Sequence, residues 1–304
     1  MLGFLSTVVC GVLLTSVGRT AALPALQTRA VTQVTSTDLS ALAPFTNFAG
    51  ATYCSVDQLN AWSCKACKNI SGFKPTLVGG DGNAIQQYFV GSWSDQKAVV
   101  VAHEGTDPTK FLSDLTDVNF VMKSLDTTLF PGVPSGVQVH GGFADEHAKT
   151  ASIILAEVKS LLSSTGYTNV FLVGHSLGGA LSELEAMYMT LNLPSSVHVK
   201  AVTYGTPRVG NPAWATFFDS KVADFKRINN EEDPIPIVPG RGLGFQHPHG
   251  EIHILGAGNA VSCPGDDDAT DAQCTISSVP NIIKSNLVNH LGPYEGIYVG
   301  TIFC

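Results

Sequence analysis

Positive charge is what this chain has least of: 17 Lys and Arg stand against 25 Asp and Glu in 304 residues, a net charge of −8. That balance argues against nucleic acid or an anionic membrane surface as a partner, because both call for a cationic face. Charge of either sign is sparse, at 14%, while 44% of residues are hydrophobic, enough to bury a large core. The apolar, uncharged run Leu2 to Val17 falls short of the ~20 residues that cross a bilayer, so no transmembrane segment is expected. It lacks the Lys or Arg that commonly opens a secretory leader. Thr20-Ala21-Ala22 nevertheless offers small residues for cleavage, with Leu23-Pro24 following. The reading is a signal peptide over residues 1–22, a pro-segment to about Arg29, and secretion of residues 30–304.

Zinc is also poorly provided for. Cys64-Lys65-Ala66-Cys67 is C-x-x-C, but no second C-x-x-C accompanies it, and neither a metal nor a cofactor is expected. With Cys10 in the leader, Cys54, Cys64, Cys67, Cys263, Cys274 and Cys304 form an even set suited to disulfides in an oxidising compartment. Asn69-Ile70-Ser71 is the single N-glycosylation sequon. No internal repeat, low-complexity tract or linker divides the chain, so one domain is expected despite its length.

Short apolar runs, Val99–Ala102, Asn169–Val173, Val199–Tyr204, Phe225–Ile228 and Ile252–Leu255, read as buried strands. Helical spacing is found over Ser36–Ala51, from Pro108 onward, and over Gly142–Ser163. After Pro108 the alternation of Val118, Phe120 and Met122 competes with the helical period, so that helix should stop near Leu115. Strands alternating with helices imply an α/β fold with a mostly parallel central sheet and helices on both faces.

The decisive stretch is Gly174-His175-Ser176-Leu177-Gly178-Gly179-Ala180. A buried strand precedes it, and Ala180, Leu181, Leu184, Met187, Tyr188 and Leu191 continue it at helical spacing. G-x-S-x-G between strand and helix is the nucleophile elbow of α/β-hydrolases. The glycines leave room for a sharp turn, and the Leu177 N–H at the helix start points where an oxyanion would form.

A serine hydroxyl needs a base within reach and an acid to orient that base. In this fold the chain order is Ser, then Asp or Glu, then His. Asp233, followed by Pro234, Pro236 and Pro239, is the acid of choice, while Glu231 and Glu232 read as loop charges. Asp266, Asp267 and Asp268 sit in what reads as a polar surface loop. Of the later histidines, His247, His249 and His253 suit structural hydrogen bonds. His290, between a helical run through Ile282, Ile283, Leu287 and Val288 and the sequence Leu291-Gly292-Pro293, can be displayed from a loop as the base.

These residues, with Val139-His140-Gly141-Gly142-Phe143 and Tyr204-Gly205-Thr206-Pro207-Arg208-Val209-Gly210-Asn211, resemble the secreted fungal class 3 lipases, a family that also contains feruloyl esterases. The resemblance implies an α/β-hydrolase fold with a short helical lid, and the triad Ser176, Asp233 and His290. It further implies that Thr106 joins Leu177 in the oxyanion hole, that His140 is structural, and that the bridges are Cys54–Cys304, Cys64–Cys67 and Cys263–Cys274. Two positions depart from the family pattern: Glu104 stands where Arg is usual, and Pro108–Leu115 contains no Trp.

The expected activity is hydrolysis of carboxylic esters, foremost triacylglycerols at an oil–water interface, with a feruloyl or other soluble ester as the alternative. A catalytically inert binding protein of the same fold is the remote one. Phe111, Leu112 and Leu115 would give the lid its apolar side, closing over a groove lined by Ile235, Val238 and Leu291.

Overall fold

A computed structural model describes residues 30–116, 121–267 and 270–304. The expected leader and pro-segment, and Val118 and Phe120, lie outside these residues. The segment Asn169–Val173 opens a strand, β7 (Asn169–His175), because its apolar residues can serve both faces of a sheet. Val170 and Leu172 enter the core cluster on one side, and Phe171 and Val173 the cluster on the other. Full burial of such side chains is worth ~1.5–3 kcal/mol each, which is why this strand is placed centrally.

In chain order the described elements are β1 (Thr32–Gln33), α1 (Ser36–Ser40), α2 (Ala43–Ala51), α3 (Val56–Asn60), β2 (Phe73–Gly79), β3 (Tyr88–Trp93) and β4 (Ala98–His103). There follow α4 (Pro108–Thr116), β5 (Met122–Ser124), β6 (Gln138–His140), α5 (Gly141–Thr165), β7, α6 (Leu177–Asn192), β8 (His198–Tyr204) and α7 (Pro212–Lys221). The chain ends with β9 (Asp224–Asn230), β10 (Glu251–Gly256), β11 (Asn259–Ser262), α8 (Thr275–Ser278) and short 3-10 turns.

The main sheet has nine strands in the order β1-β11-β10-β9-β8-β7-β4-β3-β2. Its centre, β10-β9-β8-β7-β4, is parallel, and both margins are antiparallel. One core cluster lies between the sheet and α5 and α6, the other beneath α1, α2 and α3. The α/β-hydrolase architecture is therefore present, with helices on both faces.

The sequence pattern misses β1, β2, β3, β6 and β11. Phe73–Gly79 alternates in burial only over Phe73–Leu77, where Pro75 breaks the strand signal, and its last three residues are all half-buried. The helix expected over Ser36–Ala51 is two helices. Pro44 at the start of α2 has no N–H to give and its ring would clash with the turn before it, so α1 ends ahead of it. The helical run expected before His290 is a pair of 3-10 turns, Ile282–Lys284 and Leu287–Leu291, and the second contains His290 itself, which is therefore held in a turn and not in the loop after it. Helix α4 stops at Thr116, near the expected position, and the helix expected at Gly142–Ser163 is α5.

Register sets up the site. Gly174 of β7 pairs with His103 of β4 and with Thr203 of β8, and His175 pairs with Tyr204. The carboxyl ends of β4, β7 and β8 are thus level, and the loops that leave them emerge side by side.

Cys54 is bonded to Cys304, Cys64 to Cys67, and Cys263 to Cys274. The first bridge closes a loop of 250 residues, which the loop-entropy argument values at about 5 kcal/mol. Cys304→Ser should lower unfolding free energy by several kcal/mol while leaving the other two bridges intact. Urea denaturation with non-reducing peptide mapping checks this, and an unchanged midpoint would contradict it.

Candidate active site

Ser176 lies between β7 and α6 with φ 59° and ψ −129°. A side chain in the left-handed half of φ space costs on the order of 1–3 kcal/mol and persists only where its surroundings hold it. Here the Ser176 N–H donates to the Tyr204 carbonyl at 2.9 Å. Gly174 and Gly178 make the turn possible: a Cβ on Gly174 would lie 2.0 Å from the Gly178 carbonyl oxygen. Ser176 Oγ is buried and has no hydrogen-bond partner among the described residues.

The loop leaving β4 runs directly beside this serine. A Cβ on Gly105 would lie 2.9 Å from Ser176 Cβ and 2.6 Å from the His175 carbonyl oxygen. Thr106, the next residue, is thereby brought to the same corner as Leu177, whose N–H is one of the four that a helix start leaves without an intrahelical partner.

His290 and Asp233 approach from loops beyond β9. The His290 Nδ1–H donates to Asp233 Oδ2 at 2.8 Å, and Asp233 Oδ1 accepts from the Ile235 N–H at 2.8 Å. With both carboxylate oxygens engaged, the Asp233 carboxylate has a fixed orientation. His290 Nε2 is buried and has no partner among the described residues. Ser176 and His290 are each 0% exposed. The site therefore holds an oriented imidazole, an uncommitted hydroxyl and N–H groups at a helix start, the parts that acyl transfer requires.

A family model described as lipase (class 3) matches residues 100–243. A secreted mono- and diacylglycerol lipase of Malassezia globosa is 31% identical over 224 residues, 73% of this chain and 71% of that one. The chain belongs to the class 3 lipases. A lipase from Rhizopus microsporus var. chinensis has a similar structure, with a TM-score of 0.76 at 28% identity over 89% of this chain and 91% of that one. So has a triacylglycerol lipase whose catalytic centre is described as a serine protease triad, with a TM-score of 0.75 at 27% identity, covering 90% of this chain and 99% of that one.

Within this lipase the run Tyr204–Asn211 has a physical explanation. Gly205, at φ 50°, faces Asp233 and His290: a Cβ there would lie 2.7 Å from Asp233 Oδ2 and from His290 Nδ1. Arg208 donates to the carbonyls of Ile237 and Pro239 and pairs with Asp267, so it holds the segment after Asp233 in place. Asp267 is accordingly buried, not part of a polar surface loop, because its carboxylate neutralises a buried guanidinium. Asn211 caps α7 by accepting from the Trp214 N–H at 2.9 Å.

The other histidines take structural places. His247 Nε2 bonds the Pro236 carbonyl at 2.9 Å, His249 bonds Asp219, and His253 Nε2 bonds the Glu231 carbonyl at 2.8 Å. His140 stacks on Phe143 with ring centroids 4.2 Å apart. Glu231 is not a free loop charge: its carboxylate accepts from Asn289 Nδ2, tying the acid loop to the residue before His290. Asn69 is exposed, with its Nδ2 donating to Asn47 Oδ1 at 3.0 Å.

Phe111 on α4 is buried in the same core cluster as Ile235 and Val238, with Leu112, Ile237 and Leu287 packed against it. Helix α4 rests on the turn that carries His290. Leu291, half-buried, has its Cδ2 3.2 Å from where a Cβ on Gly300 would stand. The Leu115 side chain lies outside the described residues. Among the described residues, Glu251, Cys263 and Cys274 are close enough together to hold a metal ion. The two cysteines are bonded to each other, so neither offers a thiolate.

Glu104, next to Gly105 on the loop leaving β4, is a half-buried charge beside Ser176. Burial raises its carboxyl from 4.5 to about 7, opposed by a backbone hydrogen bond at Gln87. Its Oε2 has no partner among the described residues. A carboxyl held above its free value keeps its proton more tightly in the folded chain. Its contribution to stability is present at acid pH and is lost as pH rises from 4.5 to about 7. Glu104→Gln should raise the melting temperature above pH 7 and leave it unchanged near pH 4, as read by calorimetry. Equal effects at both pH values would contradict the assignment.

Proposed function

We propose that this class 3 lipase is a secreted acylglycerol hydrolase acting through Ser176, His290 and Asp233. Ser176 Oγ attacks the ester carbonyl while His290 Nε2 takes its proton. Asp233 holds the Nδ1–H tautomer and stabilises the imidazolium that forms. The N–H groups of Leu177 and Thr106 bind the oxyanion, His290 returns the proton to the leaving alcohol, and water activated by His290 releases the acid. Secretion is supported by the relatives named as secreted lipases and by the signal-like leader.

One observation carries the choice of a lipid ester over a soluble one. The serine and the histidine are wholly buried, and α4 sits on the turn bearing His290 with Phe111 and Leu112 turned inward. On this reading α4 is the lid, so a substrate reaches Ser176 after α4 moves, and that movement exposes apolar area at ~25 cal/mol per Å² in water. An oil surface covers the same area and removes that cost, whereas a dissolved ester offers no such compensation.

Ser176→Ala and His290→Ala should each lower turnover by at least about a thousandfold, because triad members act as a unit. The assay compares emulsified tri-, di- and monoacylglycerols with tributyrin below its solubility limit and with methyl ferulate. Rates on acylglycerols should jump once substrate forms a separate phase. A preference for methyl ferulate with no such jump would make the chain a soluble-ester esterase on the same machinery, and activity surviving in folded Ser176→Ala would overturn the nucleophile.

A further inference from the structure

The catalytic imidazole is held by Asp233 on its edge, but an imidazole also has a face and a main chain, and both are occupied here. The His175 ring lies against that of His290, with centroids 4.3 Å apart and planes inclined by 32°. His175 Nε2 is 2.7 Å from the His290 carbonyl oxygen, and its Nδ1 is 2.6 Å from Tyr53 Oη. A carbonyl can only accept, so His175 carries its proton on Nε2. Nδ1 is then an acceptor, and Tyr53 Oη–H donates to it. Tyr294 Oη–H donates to the same His290 carbonyl at 3.0 Å.

We propose that Tyr53 and His175 are positioning residues for the base: Tyr53 fixes the His175 tautomer, and His175, with Tyr294, fixes the backbone and ring plane of His290. This rests on His290 being the base. The chain of donors runs in one direction, Tyr53 to His175 to His290, and every member is buried. Reversing either bond would leave a carbonyl facing a lone pair.

Charge in the stack argues the same way. An imidazolium forms on His290 during turnover, and a second cation in face contact would oppose it. Burial, and then the nearby His290, hold the His175 ring well below the usual histidine range, so it stays neutral. Burial likewise raises the Tyr53 hydroxyl, keeping it a donor.

Tyr53 is itself clamped. Gln87 Nε2 donates to the carbonyls of Thr52 at 2.6 Å and Cys54 at 2.7 Å, on either side of it, and Cys54 is bridged to the chain terminus. These contacts make no use of the substrate, so their loss should appear in turnover and not in substrate binding.

The test uses Tyr53→Phe, His175→Gln and His175→Leu in the full secreted chain. Active-site concentration is set by titration with a p-nitrophenyl phosphonate, and folding by circular dichroism. Tyr53→Phe removes one donor and little volume, so kcat should fall about tenfold with KM within about twofold. His175→Leu should lose on the order of a hundredfold in kcat, the scale of a small misplacement. His175→Gln, whose Nε2 can again donate to the His290 carbonyl, should recover part of that loss. Tyr53→Phe turning over like the wild type would overturn the proposal, as would Gln and Leu at 175 losing kcat equally in folded protein. Failure of the underlying reading has a different signature, a folded His290→Ala chain that turns over and is labelled by the phosphonate as fast as the wild type.

Discussion

Everything at the active centre depends on one residue being held in a backbone conformation it would not choose. Ser176 has φ 59°, and the strain is contained because its N–H is fixed to Tyr204 on the neighbouring strand and glycines two residues away on each side, Gly174 and Gly178, let the turn close. The corner lifts Oγ out of the sheet and aims the first turn of α6 at the same point. A relaxed serine would lie along the strand or within the helix, where neither hydroxyl nor N–H could reach a carbonyl carbon. The parallel register makes the corner useful, since it levels the ends of β4, β7 and β8 and brings Thr106, Ser176 and Gly205 together.

The remaining machinery is arranged around keeping His290 in one place. Asp233 orients its edge, Tyr294 and His175 hold its carbonyl, and Glu231 holds the residue before it. Asp233 in turn depends on Arg208, which grips the carbonyls after it from the far side. Three loops distant in sequence are thus tied by buried polar bonds, which specify geometry more than they add stability, since each group has lost its water. The chain's shortage of cations shows here too: Arg208 and Arg227 are buried, pairing with Asp267 and Glu251.

Much of this was legible in the sequence. The parallel strands are continuous apolar runs because both of their faces are covered, so they stand out, and the Ser, Asp, His order follows from the elbow. The antiparallel margins were not legible: β2 has only one fully buried residue, Phe73, and a proline within it. Nor could a pattern show that Asp267 is buried, because its partner, Arg208, is 59 residues away. His175 was visible only as the residue before the nucleophile, and Tyr53 carried no signal at all. The two meet in a contact across 122 residues, which no local spacing encodes.

The central claim is that a competent nucleophile sits closed under α4 until an apolar surface draws the helix away. Covalent labelling by a long-chain p-nitrophenyl phosphonate tests this most directly, followed by peptide mass spectrometry in buffer and again with detergent micelles. The account predicts a single adduct on Ser176, formed slowly in buffer and many times faster with micelles present. An adduct on any other residue, or labelling of Ser176 equally fast in both conditions, would contradict it.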